Sequence, residues 1–117
     1  MNNLIAKNIY IGVDIVENSR FNKLDIKTIK RFLTKNEFKE YEKLEETYKI
    51  NYLASRWSAK EAIFKAINKI NKINLINIEI LYDSDNLAYC SNVENVKLSI
   101  SHSEKNTISM AIFINLN

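Results

Sequence analysis

From position 9 the chain alternates: Ile9, Ile11, Val13 and Ile15 share one face of an extended segment, and Tyr10, Gly12, Asp14 and Val16 share the other. This predicts a β-strand over 9–16. Asp14 then sits inside an apolar element, and Gly12 beside it leaves room for close backbone or ligand approach. A polar connection, 18–24, follows. From Asp25 the spacing changes, and Ile26, Ile29, Phe32 and Leu33 predict a short helix. Thr34 with Glu37 reads as a capping box that starts a second helix, its Phe38, Tyr41 and Leu44 turned inward. A third helix is predicted over about 50–70. Four strand segments come next, 76–82, 87–90, 96–102 and 107–114, with DSDN at 83–86 and SEKN at 103–106 as hairpin turns. Strands grouped after helices argue for an α+β fold, helices packed on a largely antiparallel sheet. With 117 residues and no linker, the expectation is one domain spanning 1–117.

The third helix carries the sharpest anomaly. At about 100° per residue, Ile50, Ala54, Trp57, Phe64 and Asn68 fall on one side, and Glu61 lies among them. A carboxylate facing a core needs a partner: a metal, a cation such as Lys65 one turn on, or a ligand. On the helix alone, pairing with Lys65 at the edge of the packed face competes evenly with the functional readings. Asp14 by itself reads as a strand-end acid meeting solvent or a backbone amide. Together, two carboxylates held by a strand and a helix suit Mg²⁺, which keeps waters and takes one or two carboxylates plus phosphate oxygens. His102 ends the alternating face Val96, Leu98, Ile100, where a lone histidine is usually structural. It is the only histidine, and a hard cation prefers oxygen, so a metal-ligand role is a poor fit.

Composition sets limits. With 46% hydrophobic and 26% charged residues the chain reads as an ordinary soluble globular protein. A net charge of +3 is too small to indicate nucleic acid, although it favours anionic partners. A nucleic-acid module would also leave both acids unexplained. The single cysteine, Cys90, excludes an internal disulfide and fits a reducing cytoplasm. The apolar N-terminal stretch is interrupted by Lys7 and Asn8, then by Asp14, and no run approaches the ~20 residues needed to span a bilayer. The expectation is a cytoplasmic protein. Asn recurs every third residue through INKINKINLIN at 67–77, a pattern we attribute to coding bias rather than to a functional repeat.

Three segments in order, GVDIVE at 12–17, YLASRWSAKEAIFKA at 52–66 and LSISHSE at 98–104, resemble the holo-acyl-carrier-protein synthase family of 4′-phosphopantetheinyl transferases. The resemblance covers nearly the whole chain, and its W-S-A-K-E-A run is specific to that superfamily. It implies an enzyme that moves the phosphopantetheine arm of coenzyme A onto a serine of apo acyl carrier protein, in support of fatty acid and lipid biosynthesis. By the same resemblance, Asp14 and Glu61 hold Mg²⁺ and, with Lys65, form the catalytic group; Glu61, directly or through a water, is the candidate acceptor of the serine proton. Arg56, Lys60, Lys65 and His102 become candidate coenzyme A ligands, His102 with Ser101 or Ser103 at its side. Carrier proteins of the family are acidic and dock through a helix, which makes Arg20, Lys27 and Arg31, with Lys23 and Lys30 beside them, candidate carrier contacts. Short members are trimers with coenzyme A at subunit interfaces, so a homotrimer is expected.

The chain departs from the family in two places. The loop 68–74 has no glycine, and asparagine is the residue expected to take any left-handed backbone there. The stretch 89–96 lacks the extra helix of many relatives. The alternative function is a non-catalytic assembly or adaptor protein in which Asp14 and Glu61 are buried structural ions.

Overall fold

The alternating segment forms β1 (Ile9–Glu17), and its partner is the last strand, β5 (Asn106–Ile114). Residues 8–116 are described by a computed structural model; the part of the N-terminal reading that rests on Lys7 and earlier lies outside them. Strand β5 pairs on its other side with β4 (Val96–His102), giving an antiparallel sheet of order β1-β5-β4. The short strands β2 (Ile80–Tyr82) and β3 (Ala88–Cys90) make a separate hairpin beside β4. Three helices precede them: α1 (Ile26–Phe32), α2 (Lys35–Glu42) and α3 (Glu46–Ile67). The α+β arrangement matches the expectation.

Both predicted helix starts are capped. Asp25 Oδ1 accepts from Thr28 N at 2.8 Å, and the Thr34/Glu37 box makes both of its hydrogen bonds. Helix α3 lies across the sheet face built by Gly12, Asp14 and Val16 with Thr107, Ser109 and Ala111. Small residues permit this closeness. Ala59, Ala62 and Ala66 line the helix underside, and Ser58 Oγ meets Ser109 Oγ at 2.6 Å. One core cluster lies under the C-terminal half of α3 with Ile78, Ile80 and Phe113. The other joins the N-terminal half to α1 and α2 through Phe32, Tyr41 and Leu53.

Several expectations need correction. Helix α3 starts at Glu46 and ends at Ile67, so it is displaced toward the N-terminus relative to 50–70. The side holding Ile50, Trp57, Glu61, Phe64 and Asn68 is a half-buried margin, while the sheet-facing side runs through Ala59, Ala62 and Ile63. The segment 76–82 is strand only over Ile80–Tyr82, because 75–77 turns as a 3₁₀ element and Glu79 N is taken by Asn92 Oδ1. Of the residues whose spacing predicts α1, Ile29, Phe32 and Leu33 are buried and Ile26 is exposed. Left-handed backbone occurs at Asn86 (φ 61°) and Asn95 (φ 63°), not within 68–74. Among the described residues no helix is long and apolar enough to cross a membrane.

The bulky face of β1 points away from α3. Ile11 is 65% and Ile15 62% exposed, and Val13, Ile108 and Met110 continue the same uncovered surface.

Candidate active site

Gly12 sets the first corner of the site. Its backbone lies against the carbonyl of Ala62, on the residue after Glu61. Two positions along β1, Asp14 turns the same way and meets the helix at Lys65, whose Nζ lies 3.3 Å from Asp14 Oδ1 and donates to Val13 O at 3.0 Å. Asp14 keeps only 14% of its side chain exposed, against 52% for Lys65. Lys65 therefore pairs with the strand acid and not with Glu61. Glu61, one helical turn earlier on the same margin, is half-buried and makes no hydrogen bond or ion pair among the described residues. A half-buried carboxylate with no cationic side chain beside it among the described residues is a group that a metal ion can engage. Among the described residues no group of three or more metal-ligating side chains gathers; the carboxylates on either side of Lys65 are Asp14, in contact with it, and Glu61, one turn before it on α3. Two carboxylates of this kind fit Mg²⁺, a hard ion that needs few protein ligands when phosphate oxygens and water supply the rest.

The second corner lies on the other flank of α3. A cleft of about 590 Å³ opens between β4 and the β2–β3 hairpin, and Arg56 and His102 both line it. Arg56 is buried, its guanidinium carbon 4.1 Å from the centre of the Tyr52 ring and 4.5 Å from that of Tyr82. Its terminal nitrogens reach Glu40 Oε1 at 3.2 Å and Ser55 Oγ at 3.0 Å, while Nε is buried without a partner. Glu40 is fixed in turn by the Tyr52 hydroxyl at 2.7 Å and by Tyr82 N at 2.9 Å. Burial, reinforced by the Arg56 charge, holds the His102 imidazole below its ordinary pKa. Its Nδ1 meets Thr107 Oγ1 at 2.9 Å. Ser101 is exposed, and Ser103 closes the hairpin turn by accepting from Asn106 N at 3.0 Å.

Lys60 does not reach either corner. Its side chain is fully enclosed, with Nζ 2.8 Å from Glu37 Oε1 and 2.5 Å from Ile78 O. Burial lowers its pKa, and the Glu37 carboxylate opposes that shift. Glu37 also accepts from Ile80 N at 2.7 Å, so the ion pair ties α2 and α3 to the β2–β3 hairpin. The expectation that Lys60 contacts coenzyme A is corrected on this ground: every acceptor around its ammonium is internal. Sequence reasoning passed over Glu40, Tyr52 and Tyr82, which hold Arg56, and Thr107, which holds His102. Only Glu37 carried a signal, as the third residue of the capping box.

Arg20, Lys23, Lys27, Lys30 and Arg31 are exposed on the 3₁₀ turn Asn18–Phe21, the connection after it and α1. Arg20 lies over the Phe21 ring and Lys30 over that of Phe38, at 5.7 and 5.0 Å.

The sequence profile of the 4′-phosphopantetheinyl transferase superfamily matches residues 10–112. Holo-[acyl-carrier-protein] synthase of Mycoplasma capricolum is 35% identical over 102 residues, covering 87% of this chain and 91% of the relative. The synthase of Streptococcus suis is 40% identical over 99 residues, covering 79% and 83%. Among solved structures, the holo-(acyl-carrier-protein) synthase of Bacillus anthracis, crystallised in complex with CoA (3′,5′-ADP), superposes with a TM-score of 0.80 at 31% identity, covering 91% of this chain and 96% of that one.

Proposed function

The chain belongs to the 4′-phosphopantetheinyl transferase superfamily, and from that premise we propose that it transfers 4′-phosphopantetheine from coenzyme A to a serine of apo acyl carrier protein. The observation that carries the proposal is the first corner, where the unpartnered Glu61 stands one turn from the lysine that meets Asp14. In the reaction, the serine oxygen forms a bond to the pantetheine-side phosphorus. The pyrophosphate P–O bond breaks, and adenosine 3′,5′-bisphosphate leaves with its electrons. Asp14 and Glu61 would hold Mg²⁺, which when bound neutralises charge on the pyrophosphate. Lys65, more than half exposed, offers a cation to the same phosphates. Glu61, directly or through a water, accepts the serine proton. Arg56 and His102 anchor the remaining phosphate of coenzyme A, and Lys60 acts as a strut beneath them.

The site is best read as shared between copies in a homotrimer. Asp14 lies in β1 and His102 in β4, two strands apart and two residues out of step, about 12 Å between backbones. Helix α3 lies between them, seated by the Ser58–Ser109 contact and by Gly12 on Ala62. A ligand reaching over the helix within one chain would cross filled space, whereas corners from neighbouring copies can face each other. The uncovered surface of Ile11, Val13, Ile15 and Met110 supplies an apolar face for assembly. The acidic carrier docks on Arg20, Lys27 and Arg31. Biosynthesis of fatty acids in the cytoplasm, consistent with the lone Cys90, is the setting this activity implies.

Incubation with an apo carrier protein, coenzyme A and Mg²⁺, followed by intact mass measurement, tests the proposal: the carrier mass rises by one phosphopantetheine group, and an unchanged mass contradicts it.

A further inference from the structure

Behind His102 stands a chain of hydrogen bonds whose directions are fixed by counting protons. Asn18 Nδ2 faces two main-chain carbonyls, Ser103 O at 3.2 Å and Glu104 O at 3.3 Å. Both are obligate acceptors, so the amide orientation is set by its surroundings, and Asn18 presents its oxygen, Oδ1, to the strand. Thr107 Oγ1 lies 2.7 Å from that oxygen and must donate its single hydroxyl proton there. Thr107 is fully buried and has no second proton to offer. Its hydroxyl can therefore only accept from His102 Nδ1, 2.9 Å away. In the neutral ring the proton sits on Nδ1, and Nε2 carries a bare lone pair on the cleft side.

A phosphate monoester dianion offers acceptors only. It cannot meet that lone pair favourably. We infer that phosphate binding at His102 takes up one proton onto Nε2, and that Thr107 and Asn18 are positioning residues which impose this by fixing the tautomer. The inference rests on the assignment of His102 to a coenzyme A phosphate. At pH 7.5 an ordinary imidazole is already mostly neutral, and burial, then the Arg56 charge, push the His102 ring further the same way, so the second proton is acquired on binding. The other charged groups on the elements packed around the cleft are Asp83 and Lys97 on its walls, Glu40 of α2 paired with Arg56, and Glu104 and Lys105 in the turn after the ring. A bound phosphate adds negative charge next to the imidazole and stabilises the imidazolium. Affinity then falls by up to about tenfold per pH unit between the pKa of the free ring and that of the complex.

The chain has a single histidine, so imidazole ¹⁵N resonances report on His102 without ambiguity. The probe is adenosine 3′,5′-bisphosphate with EDTA present, which removes metal-linked protons. In the free protein at pH 7.5 we expect Nδ1 protonated and Nε2 bare; at saturation, both protonated. Calorimetry in two buffers of different ionisation enthalpy should give net uptake approaching one proton per site. His102→Asn should bind more weakly and take up none. Thr107→Val should leave the free ring a mixture of tautomers with smaller uptake, and Thr107→Ser should restore the wild-type values. A free ring protonated on Nε2, a neutral ring in the saturated complex, or uptake that persists in His102→Asn would overturn the inference. Complete failure of the wild type to bind would overturn the ligand assignment and the proton linkage with it, while the tautomer of the free ring would still be read directly.

Discussion

Gly12 touches the main chain of Ala62 so closely that a methyl group built on its Cα falls 1.8 Å from the Ala62 carbonyl oxygen. No rotamer change relieves that overlap, because the obstacle is backbone on both sides. The only glycine of the chain thus sets how closely β1, which carries Asp14, approaches α3, which carries Glu61.

Gly12→Ala should force α3 off the strand. We expect destabilisation of about 3 kcal/mol and a fall in Tm of roughly 10 °C. Transfer activity at a temperature where the variant remains folded should fall more than its folded fraction, since the corner widens. Urea unfolding monitored at Trp57, with parallel rates, checks both.

Asp14→Asn and Glu61→Gln remove charge with little change in volume. Each should lower kcat by at least about 100-fold, the size of a lost electrostatic contribution in a transfer reaction, while urea midpoints stay close to wild type. Near-normal rates in both would remove the carboxylates from the chemistry. Unfolding of either variant would favour structural ions.

Lys60→Met leaves the Glu37 carboxyl enclosed without its cation, which should cost about 3–5 kcal/mol. Adding Glu37→Gln should recover part of that loss, because the ionisable group left without its partner goes while the amide oxygen remains to accept from Ile80 N. Denaturant melts of the single and double variants measure the coupling. The KM for coenzyme A in whatever fraction stays folded should be unchanged, as expected of a strut; a rise of tenfold or more would return Lys60 to the ligand set.

Reversal of Arg20 and Lys27 to Glu should raise the KM for the carrier far more than that for coenzyme A. Added salt should do the same to wild type, since exposed charges are screened over about 8–10 Å near physiological ionic strength. Steady-state kinetics with each substrate varied separately decides it, and equal effects on both would clear this surface of carrier contact.

The sequence made local patterns legible and pairings between distant elements much less so. Period-two alternation located β1 and β4, and the Thr34/Glu37 spacing located the start of α2, because each signal is contained within a few residues. Amphipathicity about Glu61 does not locate the buried face of helix α3. The helix is packed on several sides at once, so its apolar residues trace no single stripe, and alanines rather than large side chains mark the face toward the sheet. The RWSAKEA run singles out Arg56, Lys60 and Glu61 together, yet Arg56 and Lys60 are both buried against α2 and the hairpin, and only the fold shows that Arg56 alone of the two lines the cleft. The Glu37–Lys60 and Thr107–His102 pairings join elements that no periodicity relates.

The most direct measurement counts both products of one reaction. Protein, coenzyme A, Mg²⁺ and an apo carrier are combined, and holo carrier and adenosine 3′,5′-bisphosphate are quantified from the same quench, beside a carrier whose acceptor serine is replaced by alanine. Equal amounts of the two products, rising together and absent with the alanine carrier, are the predicted result. Adenosine 3′,5′-bisphosphate released without holo carrier, or neither product at any carrier concentration, would contradict transfer from coenzyme A to the carrier serine.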